Sequence, residues 1–387
     1  MVTKIKWLQL YRRFLRAIIP LGCGGIILLL FGCSYRNDVT SSQRDIVSTS
    51  LPAKVLWQAQ VDELINRSPV FIEQTVVIIT QKALYGLDRT TGERLWKHIY
   101  NFQETSIVPI ASNEETIIYG DDEGQIVALD GITGEVVWHR FIDDRENFYG
   151  INDLVAENGV LFAVSHPTVV EAIEVSTGRL LWQVSGVEKD IPGRAARMHL
   201  DNNDLYVVTI EVHILDVETG AINQVFDKNL PGALQLMNGK FYAQNSVWDL
   251  YTLNRLDTLK SPSYKTLYGD CELFRLPYTF NQEGFYGVGR CGGVFALEIK
   301  ENKVRWEYRI ESDATAPIAI YQGRLYALFS DGQIHAVNLE SGQGIGFMET
   351  NLSVPVSSAS GIIADEDMMV VTFGDGNVWA FTAEEND

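Results

Sequence analysis

The sequence predicts an all-β chain, an eight-bladed β-propeller of four-stranded blades, and three observations predict it. The phrase "LYGLDRTTGERLWKH" (84–98) returns as "IVALDGITGEVVWHR" and again as "VEAIEVSTGRLLWQV". Each copy holds four short apolar segments, in the first copy about "PVFIEQ", "VVIITQ", "ALYGLDR" and "ERLWKHI". The last copy, ending "NVWAFTAEEND", lacks a fourth segment, while "AKVLWQAQV" ahead of the first copy is a fourth segment without the other three.

The residue closing each third segment anchors the count: Asp88, Asp130, Glu174, Asp216, Asn254, Glu298, Asn338 and Phe381, spaced 38 to 44 residues apart. Four strands in a unit of that length fit a propeller blade better than a solenoid turn. If the N-terminal strand around Trp57 pairs with the last copy, the ring closes and no sheet edge is left open at the joint. Turns between second and third strands are marked by Asp122-Glu123-Gly124, Asp331-Gly332 and Asp375-Gly376, where glycine accepts a positive φ. Thr-Gly or Ser-Gly marks the next turn in five copies. Trp57, Trp96, Trp138, Trp182 and Trp306 are expected to be structural, each wedged between neighbouring blades; an indole buries about 150–250 Å². Copies four, five and seven carry "INQVF", "LDTLK" and "GIGFM" in its place.

The N-terminus reads as an export signal over residues 1–32. "MVTKIKWLQLYRRFLR" is basic without an acid, and "AIIPLGCGGIILLLFGC" is almost wholly apolar. Leu30-Phe31-Gly32-Cys33 resembles the lipobox of bacterial lipoproteins, which implies lipidation at Cys33; an uncleaved membrane anchor is the alternative. Residues 33–52 are polar and Ser/Thr-rich, the composition of a flexible tether. The propeller is expected over 53–387.

Composition narrows the function. A net charge of −19 argues against nucleic acid, whose phosphates it would repel. The six histidines show no ligand spacing, and neither a G-x-S-x-G elbow nor a P-loop occurs. "GDDEGQ" reads as a hairpin turn rather than a calcium loop. No cofactor is therefore expected. Cys271 and Cys291 leave two readings open: a disulfide suited to an oxidising compartment, or two buried thiols.

Residues able to bind a partner gather in two connecting segments. "DDRENFYGIND" (143–153) and "GVEKDIPGRAARM" (186–198) place Arg145, Phe148, Tyr149, Arg194 and Arg197 on loops of one face. Aromatic residues with arginine are the composition of interface hot spots; ordinary solvated loops are the alternative.

The recurring A-x-D-x-x-T-G-x-x-x-W phrase is similar to the docking motif of the PQQ-like, quinoprotein-type propellers, over about residues 53–387. The resemblance implies one of two branches. Quinoprotein alcohol dehydrogenases hold the quinone under a vicinal Cys-Cys disulfide, and this chain has no adjacent cysteines. BamB-like lipoproteins of outer-membrane protein assembly match in length, lipobox and tether. Their Leu-x-Leu-Arg partner patch has no counterpart in "KDIPGRAARMHLDNN", where Arg194 and Arg197 are nearest in character. The expected function is a non-catalytic, membrane-tethered extracytoplasmic scaffold that binds an envelope protein, in the most concrete version a β-barrel assembly protein. A quinone- or ligand-binding propeller and a cell-surface sensor are the alternatives.

Overall fold

The computed structural model describes residues 50–65, 67–100, 110–113, 115–142, 150–165, 169–185, 196–209, 211–226, 235–237, 240–243, 246–249, 255–258, 264–266, 269–271, 275–280, 285–288, 293–298, 303–314, 317–350 and 361–383. Among these residues every named element is a strand, and all pairings are antiparallel.

The strands form consecutive four-stranded sheets. Sheet I holds Val70–Ile72, Thr75–Ile79, Ala83–Asp88 and Arg94–Ile99; sheet II holds Ile110–Ser112, Thr116–Gly120, Gln125–Asp130 and Val136–Phe141. Sheet III comprises Ile151–Glu157, Val160–Ser165, Val169–Glu174 and Leu180–Ser185, and sheet IV Arg197–Asp201, Asp204–Val208, Val212–Asp216 and Ile222–Phe226. Sheet V is built from Gln235–Met237, Lys240–Ala243, Ser246–Asp249 and Arg255–Thr258. Arg275–Phe280, Phe285–Val288, Val294–Glu298 and Lys303–Tyr308 make sheet VI; Ala319–Tyr321, Arg324–Leu328, Gln333–Asn338 and Gly344–Glu349 make sheet VII. In sheet VIII, Gly361–Ala364, Met369–Thr372 and Asn377–Ala383 take Ala53–Gln60 as their fourth strand, with Trp57 opposite Ala380. A two-stranded ribbon, Tyr264–Thr266 with Gly269–Cys271, precedes sheet VI.

The sequence pattern explains the layering. Second and third strands such as "TVVII" and "ALYGLD" are apolar runs because they are covered on both faces. Fourth strands such as "RLWKHI" bury chiefly the tryptophan. Hydrophobic clusters sit between consecutive sheets: Val77, Leu84 and Trp96 with Ile117 and Leu129 between I and II, and Ile118, Ala128 and Trp138 with Leu161 and Ile173 between II and III. Val76, Tyr85 and Trp57 likewise join Val370 and Val378 between sheets I and VIII.

One irregularity recurs in all eight sheets. The register between third and fourth strands slips by one residue at the same place: Gly86 faces Trp96 and Leu87 faces Arg94, so Leu95 is bypassed. The bypassed residues elsewhere are Leu56, Val137, Leu181, Asn223, Leu256, Arg305 and Ile345. A bulge bends its strand and increases the local twist. Here it directly precedes each of the five tryptophans.

Each of those indoles lies against the turn of the following sheet. Trp96 donates Nε1–H to the Gly131 carbonyl at 3.2 Å, Trp138 to Val175 at 2.6 Å, Trp182 to Val217 at 2.9 Å and Trp306 to Leu339 at 2.9 Å. Trp57 makes the same bond to Arg89 at 2.8 Å, joining sheet VIII to sheet I. In every case the acceptor is the residue just after the anchor acid or amide. Gly134 shows why the turn needs glycine: its φ is +70°, and a Cβ there would lie 2.5 Å from the Trp96 ring. The anchor side chain ties the same turn. Asp130 Oδ1 accepts the Thr133 N–H at 2.7 Å and the Thr133 hydroxyl at 2.9 Å, and these bonds, the backbone one foremost, hold its carboxyl below the usual range. Burying an indole at 25 cal/mol per Å² stabilises each contact by at most roughly 4–6 kcal/mol.

The fifth copy departs from the sequence reading. Asp249, opposite Lys240, occupies the place that Asp88 holds opposite Thr75, so the anchor position falls on Asp249 rather than Asn254. "SVWD" and "LYTLN" are both apolar runs closed by a polar residue, and only the strand pairing separates them.

Sheets II and III share a further contact. Glu171, buried in the third strand of sheet III, pairs with Arg140 at 3.1 Å and accepts a bond from Gln183 at 3.2 Å. Arg140 also donates to the Gly178 carbonyl at 3.0 Å.

Candidate partner-binding surface

The segments that enter sheets III and IV are fixed where they meet their first strands. Gly150, at φ +90°, lies where a Cβ would come within 2.5 Å of the Asp122 Cα, and the Ile151 N–H donates to the Asp121 carbonyl at 2.8 Å. The chain leaving residues 143–149 is thereby held against the second-to-third-strand turn of sheet II. Burial raises the Asp121 carboxyl pKa, opposed by N–H bonds from Gln125 and Glu123.

Asp153 joins the two segments. Its Oδ2 accepts the Met198 N–H at 2.8 Å and its Oδ1 the Leu154 N–H at 3.1 Å. Arg197 is exposed and donates from Nη1 to the Asn152 carbonyl at 2.9 Å. Burial pushes the Asp153 carboxyl upward, against the Met198 N–H and the Arg197 charge. Arg67, just ahead of the first strand of sheet I, belongs to the same electrostatic group. Burial lowers its guanidinium pKa; Tyr100 and Asp153 oppose that shift, and the like charge of Arg197 adds to it. His199 is held neutral, pushed down to about 4 by burial and then by Arg197.

The result is a spot where two arginines lie within electrostatic range of one largely satisfied carboxylate, in a chain of net charge −19. Such a spot can take a carboxylate or another acidic group from a partner. Among the described residues no group of three or more His, Cys, Asp or Glu could hold a metal ion.

Of the residues picked out from sequence, Arg197 stands in this spot. Arg145, Phe148, Tyr149 and Arg194 lie outside the described residues, as do Cys33 and Cys291. Cys271 ends the two-stranded ribbon ahead of sheet VI, not a strand within that sheet. Arg67 was missed. "INRSPV" carries no signal of its own, and its importance appears only once the approaches to sheets I, III and IV are seen to share one electrostatic neighbourhood.

Tandem four-stranded antiparallel sheets, five of whose junctions are locked through an anchor acid or amide, a glycine turn and an indole, define the PQQ-like β-propeller class. A family model described as outer membrane protein assembly factor BamB matches residues 39–225 and 274–386, and the chain belongs to that family. It is similar to the outer membrane protein assembly factor BamB of Nitrosomonas eutropha, 23% identical over 197 residues. That match covers 48% of this chain and 44% of the relative, so it spans under half the relative's length. To the Yersinia pestis protein of the same name it is 20% identical over 357 residues, 85% of this chain and 81% of that one. The crystal structure of BamB from Moraxella catarrhalis superposes with a TM-score of 0.60 at 15% identity, covering 85% of this chain and 99% of that one. Quinohemoprotein alcohol dehydrogenase from Comamonas testosteroni gives 0.64 at 13% identity, over 90% and 79%. At these identities both structural likenesses concern the fold.

Proposed function

We propose that this protein is a non-catalytic scaffold of the cell envelope, tethered through a lipid on Cys33, that binds a β-barrel assembly protein through the loops entering sheets III and IV. Its eight sheets are read as eight blades of one closed propeller. The pairing of Ala53–Gln60 with Asn377–Ala383 and the bond from Trp57 to Arg89 support that closure. The five tryptophans then serve to dock blades, and none belongs to a chemical site. The observation that carries the partner reading is exposed Arg197, bonded to the Asn152 carbonyl at the roots of the two loops, which the Asp153–Met198 bond joins. The names of the matched relatives, assembly factors of the outer membrane, supply the class of partner.

The test is an affinity pull-down of the full chain from its own membranes in mild detergent, followed by mass spectrometry. Recovery of a β-barrel assembly protein, lost when Arg197 is changed to Glu, is the expected result. A purified protein without a stable partner but carrying a small molecule would overturn the proposal in favour of a ligand-binding propeller.

A further inference from the structure

A crevice of about 320 Å³ opens between sheets III and IV, walled by Val160, Phe162, Leu181, Leu200 and Val217. It lies at the turn end of these sheets. Leu181, the second residue of the fourth strand of sheet III, lines the crevice, and Ser185, where the strand ends, leads into residues 186–195. At about 3.3 Å per residue the two are roughly 13 Å apart. The crevice takes in neither Arg67, Asp153 nor Arg197, and its wall residue Leu200 stands three residues, about 10 Å, along the strand from Arg197.

Two features set this boundary apart, Val160 opposite the anchor residue and the partial burial of Trp182. Val160 stands opposite the anchor residue Glu174, where sheets I, II, IV and VII place Thr75, Thr116, Asp204 and Arg324 opposite theirs. Phe162 sets its ring 5.8 Å from that of Trp182, much as Tyr286 of sheet VI sets its ring 6.0 Å from that of Trp306. Trp182 is only partly buried, whereas Trp57, Trp96, Trp138 and Trp306 are all buried. At the lip, the bulge residue Leu181 is 40% exposed. The charged groups on the wall are Glu157 and Glu218, both exposed, and among the described residues no Lys or Arg lines it.

We propose that this crevice is a second docking site, which takes one large apolar side chain from a partner polypeptide with basic flanking residues. The volume falls at the lower end of the range for ligand pockets and suits a single anchor side chain. A desolvated apolar pocket within a charged border is the anatomy of an interface hot spot. The two carboxylates select the sign of the flanks. The site is independent of the loop surface and of the identity of any partner bound there.

The test uses the full chain in phosphatidylcholine nanodiscs, with empty nanodiscs as the blank. The probe is the acetylated, amidated peptide Lys-Lys-Val-Phe-Val-Lys-Lys, read by tryptophan fluorescence and calorimetry. Saturable binding is expected, at least tenfold weaker when the peptide's Phe is replaced by Ala or its Lys residues by Glu. Leu181→Lys and Glu218→Lys, both at exposed positions, are each expected to weaken it about tenfold with unchanged melting temperature. Absence of binding, equal binding of the Glu-flanked peptide, or insensitivity to both variants would overturn the proposal. So would concentration-dependent self-association abolished by Leu181→Lys, which would make the crevice an interface between two copies. A defined peptide is the readout, so this outcome is separate from that of the membrane pull-down.

Discussion

Trp57 donates its indole N–H to the main-chain carbonyl of Arg89 at 2.8 Å, linking the strand that completes sheet VIII to the turn that closes the third strand of sheet I. Arg89 strengthens the same joint with its side chain, which pairs with Asp365 and Asp367 and lies 4.9 Å over the Phe71 ring. Sheets VIII and I thus meet through one indole and one guanidinium. Trp57→Ala is expected to cost about 3–5 kcal/mol, the range for deleting a buried aromatic side chain. Urea unfolding measures the loss, and limited proteolysis should show first cuts close to Ala53–Gln60. A cost below about 1 kcal/mol would mean that this joint does not hold the sheets together.

Gly134 combines a left-handed backbone with an indole packed where a side chain would begin. Gly134→Ala is expected to destabilise by roughly 1–3 kcal/mol, from the φ penalty and from displacement of Trp96. Gly159, at φ +77° with nothing near its Cβ position, is the control. Gly159→Ala carries only the backbone part, about 1 kcal/mol. Equal thermal shifts for the two variants would remove the indole from the explanation.

The buried pair of Arg140 and Glu171 is a third test. Arg140→Met takes the cation away from the buried Glu171 carboxylate and is expected to cost about 3–5 kcal/mol. Adding Glu171→Gln removes the buried charge, so the double variant should be the more stable of the two. Chemical denaturation of both would decide it.

His335 lies buried between sheets VI and VII, bonded through Nδ1 to the Tyr308 hydroxyl at 2.7 Å and through Nε2 to Gln333 at 2.8 Å. Burial pushes its pKa down to about 4. Between that value and the unfolded value of about 6.5, the unfolded chain binds a proton that the native state does not. The stability tied to His335 is therefore complete above about pH 6.5 and declines as pH falls toward 4, at roughly 1 kcal/mol per pH unit. His335→Gln should flatten the pH dependence of the urea midpoint over that window. An unchanged slope would show that His335 is not the titrating group.

Arg197→Glu tests the spot at the loop roots. It reverses the charge beside Asp153 and Arg67 while the residue stays exposed. Recovery of the membrane partner is expected to fall about tenfold, with little change in the melting curve. Recovery at the wild-type level would move the partner surface elsewhere.

Much of the fold was legible in the sequence because one phrase encodes one interlocking part. The acid of Asp130, the glycine of Gly134 and the indole of Trp96 are local signals for contacts that turn out to be local between neighbouring sheets. Legibility failed where two phrases competed, as at Asp249 and Asn254, because backbone pairing decides between equally apolar runs. It failed for Arg67, whose neighbours Asp153 and Arg197 lie far along the chain. The bypassed residues also left no readable trace, since Leu, Val, Asn, Arg and Ile all serve at that position.

Those slipped registers bear on how the protein behaves when crowded. Fibril growth requires a flat, continuous ladder onto which another molecule can zip, and apolar residues at a sheet margin normally invite it. Leu56, Leu95, Val137 and Leu181 are such residues, each 40% exposed or more. Each sits at the one point where the ladder is broken, so an incoming strand finds its run of backbone partners interrupted beside the greasiest side chain. The protein can thus carry adhesive residues around its margin without offering a template for amyloid.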